Sequence, residues 1–155
     1  MILYHGSKVI VEFPEIRKAE FHKDFYFGFY CTKMKEQAER WAIRYRKKGY
    51  VNYYEYTPDK KLKYLIFDEM TEEWLDFIVA CRNGKSHDYD IVEGPMADDT
   101  IYNYIQNYMD GKISRAAFWE LAKFKYPTHQ ISFHSISALD TLKFIGSEVV
   151  YGKKK

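Results

Sequence analysis

The amino-acid sequence predicts a single α+β domain, a class in which helices and strands intermingle without a regular β-α-β repeat. Three observations lead to this prediction. The 155 residues fit one domain with its own hydrophobic core. Hydrophobic residues make up 46% and charged residues 30% of the chain, which excludes the disordered and low-complexity classes. Segments patterned as strands and as helices follow one another irregularly along the sequence.

Four strands and one helix are predicted in the first half of the chain. The strands cover residues 1–4, 27–32, 51–57 and 62–67, and the helix covers residues 34–48. The first strand leads into His5-Gly6-Ser7. The helix is indicated by apolar residues at i, i+3, i+4 and i+7, namely Ala38, Trp41, Ala42 and Tyr45. Gly49 is predicted to end this helix, and Pro58-Asp59 to separate the last two strands.

The second half is predicted to contain three helices, three strands and a helical turn. The helices are one over 72–82, one carrying Ile101, Tyr102, Ile105 and Met109 on one face, and one ending at Lys123. Their predicted N-caps are Thr71, Asp98 or Asp99, and Ser114, because such side-chain oxygens accept hydrogen bonds from the first turn. The strands cover 89–92, 129–133 and 144–151, with the helical turn near Leu139. The domain is thus predicted to span 1–151, followed by a loose basic tail over 152–155.

Composition also narrows the possible functions. The net charge of +2 is too balanced for a protein whose whole surface binds nucleic acid. Cys31 and Cys81 lie fifty residues apart, without zinc-site spacing, and we expect both thiols to be reduced. The longest unbroken apolar run, 77–81, is too short to span a membrane, and the N-terminus lacks a signal-peptide pattern. We therefore expect a soluble, cytoplasmic protein.

Three short motifs occur in order and carry a family resemblance. They are Tyr4-His5-Gly6-Ser7 after the first strand, Gly28-Phe29-Tyr30-Cys31-Thr32 on the second strand, and Gln130 on a late strand. Trp41 follows Tyr30 by eleven residues. This arrangement resembles the diphtheria-toxin-like and poly(ADP-ribose)-polymerase-like ADP-ribosyltransferases. The resemblance implies a split β-sheet core with flanking helices, and an enzyme that transfers ADP-ribose from NAD to an acceptor.

A longer set of motifs resembles, more narrowly, a bacterial family of uncharacterised domains placed in that superfamily. Members of that family are often encoded beside a small antitoxin-like protein. The additional motifs are Asp24-Phe25, Glu73-Trp74-Leu75, the run from Asp88 to Pro95, Ala97-Asp98-Asp99, and Gln130-Ile131-Ser132-Phe133. The resemblance implies the toxin of a bacterial toxin–antitoxin pair, with a small cognate antitoxin as partner. The acceptor stays open among protein, RNA, DNA and small molecules.

The chemistry of NAD cleavage explains the roles that the resemblance implies for individual residues. Breaking the bond between nicotinamide and ribose develops positive, oxocarbenium-like charge on the ribose. His5 would hydrogen-bond a ribose hydroxyl, Ser7 would add a polar contact, and Gly6 would let the backbone approach the carboxamide because it has no Cβ. Tyr30 and Trp41 would hold the nicotinamide by stacking. The implied cofactor, used as a substrate, is NAD, and no metal is predicted.

Gln130 is the main departure from the superfamily, which has a glutamate at the start of this late strand. A glutamine can hydrogen-bond a ribose hydroxyl, but it supplies no negative charge and cannot act as a base. The sequence therefore favours transfer of single ADP-ribose units over chain extension, with His5, Tyr30 and Gln130 as the predicted catalytic residues. A second departure is Tyr26-Phe27, where the resemblance implies glycine followed by a polar residue.

Other polar residues have a simpler structural interpretation. Arg82 is predicted to complement the dipole at a helix C-terminus, and Asp98 and Asp99 to cap a helix. His129 and His134 flank the late-strand glutamine without further ligands at metal-site spacing. Each of these residues is therefore left out of the predicted catalytic set.

Two other classes of function stay open at this point. The domain can be a catalytically silent pseudo-enzyme that binds a nucleotide or a protein. It can also be a small nucleic-acid-binding module that uses segment 33–56, where arginines and lysines are interleaved with tyrosines. Binding of phosphates would weaken steeply with salt, which distinguishes the second class from the others.

Overall fold

Seven strands and five helices make up the described part of the computed structural model, which comprises residues 1–17, 24–97, 99–123 and 128–152. The strands are β1 (Ile2–Ser7), β2 (Phe29–Cys31), β3 (Lys48–Tyr56), β4 (Tyr64–Ile66), β5 (Ile91–Gly94), β6 (Gln130–Phe133) and β7 (Leu142–Tyr151). The helices are α1 (Lys35–Ile43), α2 (Glu72–Arg82), α3 (Asp99–Met109), α4 (Arg115–Ala122) and α5 (Ile136–Leu139). The predicted α+β class is confirmed.

The strands form two sheets that meet at one short bridge. The first sheet has the order β1-β3-β7 and is antiparallel throughout. The second has the order β2-β6-β5-β4, with β4 and β5 parallel and the other pairs antiparallel. Tyr4 and Thr32 join the sheets through two backbone hydrogen bonds of 2.8 Å. Strands β1 and β2 therefore diverge from a common point.

Three apolar clusters show how the elements are layered. Small residues of α1, Ala38 and Ala42, pack with Val51 on one side of the first sheet. Side chains such as Leu3, Tyr54 and Phe133 fill the space between the two sheets. The largest cluster packs the far side of the second sheet against α2, α3 and α4. The molecule thus consists of a helix, two sheets and a helical layer, with the cores between them.

Helix α1 lies almost against the backbone of the first sheet. A Cβ on Gly6 would lie 2.7 Å from the backbone nitrogen of Ala42 and closer still to the carbonyl oxygen of Ala38. A Cβ on Gly49, in the neighbouring strand β3, would clash with the Ala42 carbonyl. Two glycines on adjacent strands therefore form the depression in which the small residues of α1 sit.

The end of α1 differs from the prediction. The helix stops at Ile43, five residues before the predicted end at 48, because Arg44 is extended and Tyr45 has a left-handed φ of 62°. Tyr45 is 91% exposed, so it does not belong to the apolar face of the helix. Gly49 is not a helix stop but the second residue of β3. Pairing of Lys48 with Tyr151 on β7 outweighs the local helical pattern.

The first strand is longer than predicted. His5-Gly6-Ser7 does not follow β1 but forms its second half, because these residues pair with Asn52, Val51 and Tyr50 of β3. Smaller shifts occur at β5, which begins and ends two residues later than predicted, and at β7, which begins two residues earlier. In each case, cross-strand pairing decides the boundary.

The predicted helix caps on α2 and α4 are confirmed. The Thr71 side chain accepts a hydrogen bond from the Trp74 backbone N–H, and the Ser114 side chain accepts one from Ala117. Asp99 is the first residue of α3, whereas Asp98, the alternative cap, lies outside the described residues. The same holds for residues 153–155 of the predicted tail.

Both cysteines are buried and neither forms a disulfide. Burial raises the pKa of the Cys31 thiol well above its ordinary value and that of Cys81 to about 12. Both groups are therefore thiols, not thiolates, at neutral pH. No helix among the described residues combines the length and the apolarity needed to cross a membrane.

The contact between α1 and the first sheet leads to a stability prediction. Gly6→Ala should lower the free energy of unfolding by at least about 3 kcal/mol, because the methyl group meets helix backbone that cannot rotate away. Gly111→Ala is the matched control: Gly111 has a φ of 74° and nothing within 4 Å of the new methyl. It should cost only about 1 kcal/mol of backbone strain. Urea unfolding measures both values, and equal losses would contradict the close contact.

Candidate functional site

The three predicted catalytic residues lie on neighbouring strands at the point where the sheets diverge. His5 is on β1, Tyr30 on β2 and Gln130 on β6. Tyr30 is opposite Ser132 of β6, which places Gln130 two residues further along the same face of that strand. Sequence segments separated by about one hundred residues are thereby brought side by side.

His5 and Tyr30 are directly connected. The Nδ1 atom of His5 lies 2.5 Å from the backbone carbonyl oxygen of Tyr30, and the imidazole stacks on Phe29 with ring centroids 4.1 Å apart. Because a carbonyl oxygen only accepts, Nδ1 carries the proton and donates it. In the neutral ring, Nε2 is then the acceptor nitrogen. The orientation and the tautomer of His5 are both fixed by β2.

The Tyr30 side chain lies on the opposite face of β2, inside the helical core. Its ring is only 8% exposed. The phenol oxygen accepts a hydrogen bond of 3.0 Å from the Phe25 backbone N–H and donates one of 2.6 Å to the Tyr26 carbonyl. Burial, followed by the nearby Asp24 carboxylate, raises the pKa of Tyr30 well above its ordinary value. The ring that was predicted to stack on nicotinamide is covered in this conformation.

The remaining predicted binding residues surround the contact between α1 and β1. Gly6 packs under α1, where the Trp41 Cβ would lie 2.8 Å from a Cβ on Gly6. Trp41 is half-buried. Ser7 is at the end of β1, and its hydroxyl accepts a hydrogen bond from the Val9 backbone N–H. Gly6 and Trp41 are on the side of the first sheet that faces α1, away from the Tyr30 ring. The Ser7 side chain is on the opposite face of β1, because side chains alternate along a strand.

Gln130 belongs to a buried polar cluster whose centre is Asp24, a residue that the sequence did not single out for a role. The Asp24 Oδ1 atom accepts hydrogen bonds from Arg82 at 2.6 and 3.1 Å. Its Oδ2 atom accepts from the Ala97 backbone N–H at 3.1 Å and lies 3.4 Å from the Gln130 amide nitrogen. The only sequence signal for it was the Asp24-Phe25 motif.

Arg82 therefore has a different role from the predicted dipole interaction. Its side chain is 5% exposed, it pairs with Asp24, and its guanidinium stacks on the Tyr102 ring at 4.0 Å. A buried arginine that is both paired and stacked is not a solvated helix terminus. The cluster of Asp24, Arg82 and Gln130 connects the segment before β2 with α2, α3 and β6.

The turn 24–28 covers the Tyr30 ring. It is held by side chains that donate hydrogen bonds to three of its consecutive backbone carbonyls. The Phe25 carbonyl accepts from His87 Nε2 at 2.9 Å, the Tyr26 carbonyl from the Tyr30 hydroxyl, and the Phe27 carbonyl from His134 Nδ1 at 2.8 Å. Tyr26 has a φ of 78°, at the position where the resemblance implies glycine. A strained turn is thus fixed by the nearby Tyr30 hydroxyl and by two histidines from distant segments.

The two histidines that hold this turn are neutral. Burial, partly offset by the bond to Phe27, lowers the pKa of His134 to about 4, and burial also lowers the pKa of His87. Their rings pack edge to face at 4.4 Å. His134 Nε2 is the acceptor nitrogen for the Ser132 hydroxyl at 2.7 Å. His87 also lines a surface groove of about 410 Å³ beside α2, which none of the six predicted site residues lines.

A second polar network lies on the other side of the candidate site. His129 is bonded through Nε2 to the Glu93 carboxylate at 2.9 Å, and its backbone N–H donates to the Gln37 side chain. The bond from His129 lowers the pKa of Glu93. The part of the chain that the structure describes contains no group of three or more His, Cys, Asp and Glu side chains that could hold a metal ion.

The Asp24 cluster explains why residue 130 is a glutamine. Gln130→Glu would place a second carboxylate beside Asp24 in a buried site, and we expect it to cost roughly 3 kcal/mol of stability at neutral pH. The loss should shrink in acid, where the new carboxyl group is protonated. Gln106→Glu is the control, because Gln106 donates to Asp110 at 2.9 Å in an exposed position. Thermal unfolding should show a loss of only a few tenths of a kcal/mol there; equal losses would contradict the cluster.

The neutral histidines predict a loss of stability in mild acid. A histidine whose folded pKa is about 4 and whose ordinary value is 6.5 contributes stability that is complete above pH 6.5 and is lost as the pH falls. Between about pH 7 and pH 5, His134 should account for about 2 kcal/mol of this loss. Urea unfolding of His134→Gln should show a flatter pH dependence over this interval. An unchanged slope would mean that His134 is not the titrating group.

Comparison with known proteins places the chain in a family. No curated protein shows significant similarity to it. The family described as "Protein of unknown function (DUF3990)" matches residues 1–144, from the first residue of the chain into β7. This range includes all six predicted site residues and the Asp24 cluster. The chain therefore belongs to the DUF3990 family.

Proposed function

We propose that the chain is an NAD-dependent mono-ADP-ribosyltransferase. The observation that carries the proposal is the placement of His5, Tyr30 and Gln130 on adjoining strands where two sheets diverge. This is the arrangement expected of the split-sheet enzymes that the three motifs resemble. The resemblance further suggests that the enzyme is a bacterial toxin with a small antitoxin partner.

His5 is the residue we assign to the ribose. Its Nδ1–H is bonded to the Tyr30 carbonyl, which fixes the direction of Nε2, the acceptor nitrogen of the neutral ring. A ribose hydroxyl is a donor of the right kind for this nitrogen. Preorganised contacts of this type orient the sugar before the glycosidic bond breaks.

The resemblance assigns the nicotinamide to the aromatic side chains Tyr30 and Trp41, which lie on different sides of the sheets in this conformation. Because the Tyr30 ring is covered by the turn 24–28, NAD binding requires this turn to move. The movement breaks the bonds of the phenol to Phe25 and Tyr26. Gly6 lies next to Trp41, and α1 fills the space that its missing Cβ leaves, so α1 also has to shift before the Gly6 backbone meets the carboxamide.

The reaction breaks the bond between the ribose C1′ and the nicotinamide nitrogen, and the electron pair leaves with nicotinamide. Positive charge then develops on the ribose, and the acceptor attacks C1′ and loses a proton. We assign Gln130 to a ribose hydroxyl through its amide. The nearest carboxylate to Gln130 is Asp24, whose Oδ2 atom lies 3.4 Å from the Gln130 amide nitrogen; its ion pair with Arg82 has to loosen before its charge can act on the ribose.

A second candidate is a pseudo-enzyme that binds a nucleotide without cleaving it. The observations that favour it are the buried Tyr30 ring and the pairing of the Asp24 carboxylate with Arg82. The two candidates differ in one product. Only the enzyme releases nicotinamide.

The test compares two substitutions of His5. Release of nicotinamide from NAD and gain of ADP-ribose mass in a bacterial lysate measure the activity. His5→Ala should lower both by about a hundredfold or more, the usual scale for one preorganised hydrogen-bonding group. His5→Asn keeps a side-chain N–H that can donate to the Tyr30 carbonyl but has no counterpart of Nε2. His5→Asn should therefore be about as stable as the unmodified protein, but as inactive as His5→Ala.

The outcomes separate the possible roles of this residue. Wild-type activity in His5→Asn would show that His5 only connects β1 to β2. Absence of nicotinamide release from the unmodified protein, with binding of NAD intact by calorimetry, would favour the pseudo-enzyme. Absence of any heat at millimolar NAD would contradict both candidates.

A further inference from the structure

The last turn of α1, the loop that follows it and the first residue of β3 together concentrate positive charge that the rest of the chain does not share. We call residues 40–48 the basic loop; its cations are Arg40, Arg44, Arg46, Lys47 and Lys48. The segment contains no aspartate or glutamate. The whole chain has a net charge of +2, so removing these five charges leaves −3 for all other residues. The charge distribution is therefore strongly asymmetric.

Tyr45 projects from the middle of this loop. It is 91% exposed, the highest value among the large hydrophobic residues that the structure describes. The side chain is presented by a left-handed backbone with a φ of 62°. The Arg44 guanidinium lies 5.1 Å from its ring centroid. An exposed aromatic ring beside a guanidinium is a flat surface on which a base can stack.

The lysines of the loop point their charge to solvent. Lys47 and Lys48 are exposed, and no carboxylate among the described residues lies within ion-pair distance of either. Lys48 lies 5.7 Å from the Tyr50 ring centroid, which adds a second aromatic side chain. The Lys47 carbonyl accepts a hydrogen bond of 2.7 Å from Gly152, and three lysines follow Gly152 in the sequence.

We propose that the basic loop binds single-stranded nucleic acid. Lys47 and Lys48 contact phosphates, and a base stacks on Tyr45. An acidic protein would use the same cations, but it would not need the exposed ring. Duplex DNA and RNA present phosphates without a free base face, so Tyr45 favours a single strand. This binding is independent of the proposed transferase activity.

Fluorescence anisotropy with labelled single strands of about 20 nucleotides, DNA and RNA in separate arms, tests the proposal. Affinity should fall linearly with the logarithm of the salt concentration between about 50 and 200 mM. Lys47→Gln/Lys48→Gln should reduce that slope by about 1 to 1.5, because each phosphate contact contributes about 0.7 on a single strand. The control is Lys60→Gln/Lys61→Gln, with the same change of charge in an exposed loop at the opposite end of β3. It should leave the slope unchanged.

Tyr45→Ala tests the stacking step separately. It should weaken binding of single strands about tenfold, the scale of one lost base stack, and leave binding of heparin unchanged. Equal slopes for the two lysine variants, or equal affinity for heparin and for single strands in the unmodified protein, would overturn the proposal in favour of a general polyanion surface. Absence of binding at low salt would also overturn it. Because NAD is absent from these assays, their outcome does not depend on the transferase.

Discussion

The arrangement of the second sheet and its helices depends on the hydrogen bonds of one largely buried carboxylate, that of Asp24. It is bonded to Arg82 at the end of α2, to the backbone just before α3, and it lies beside Gln130 at the start of β6. A buried charge without its partners costs several kcal/mol, so these segments are held together by the need to satisfy one group. The same contacts hold the first residue of the turn 24–28, which covers Tyr30. The geometry of the candidate site and the packing of the helical layer therefore depend on the same contacts.

Much of the fold could be predicted because its signals are local. The caps Thr71 and Ser114 are recognisable in sequence, since the capping side chain and the bonded N–H are three residues apart. The end of α1 could not be predicted in this way. Its residues 44–48 continue a helical pattern, but Lys48 pairs with Tyr151 about one hundred residues away. The sequence around residues 44–48 does not indicate this distant pairing partner.

In the candidate site, too, local features could be predicted and long-range contacts could not. The motifs containing His5, Tyr30 and Gln130 identified residues that the fold brings onto neighbouring strands. The burial of the Tyr30 ring was not predictable, because it depends on His87 and His134, which hold the turn above it from two other segments. The pairing of Asp24 with Arg82 spans 58 residues. Sequence patterns identified residues that lie near one another in the fold, while long-range bonds decide which of their atoms are accessible.

The pairing of distant strands also constrains how the chain folds. Strand β2 pairs with β6, where Cys31 meets Ile131, and β3 pairs with β7 over its whole length. Helix α2 can form from local contacts, but neither sheet is complete until the segment after 130 has been synthesised. Closure of such long loops slows folding and leaves apolar strand edges unpaired in the meantime. During translation, β2 and one edge of β3 therefore remain unpaired until residues 130–151 have left the ribosome.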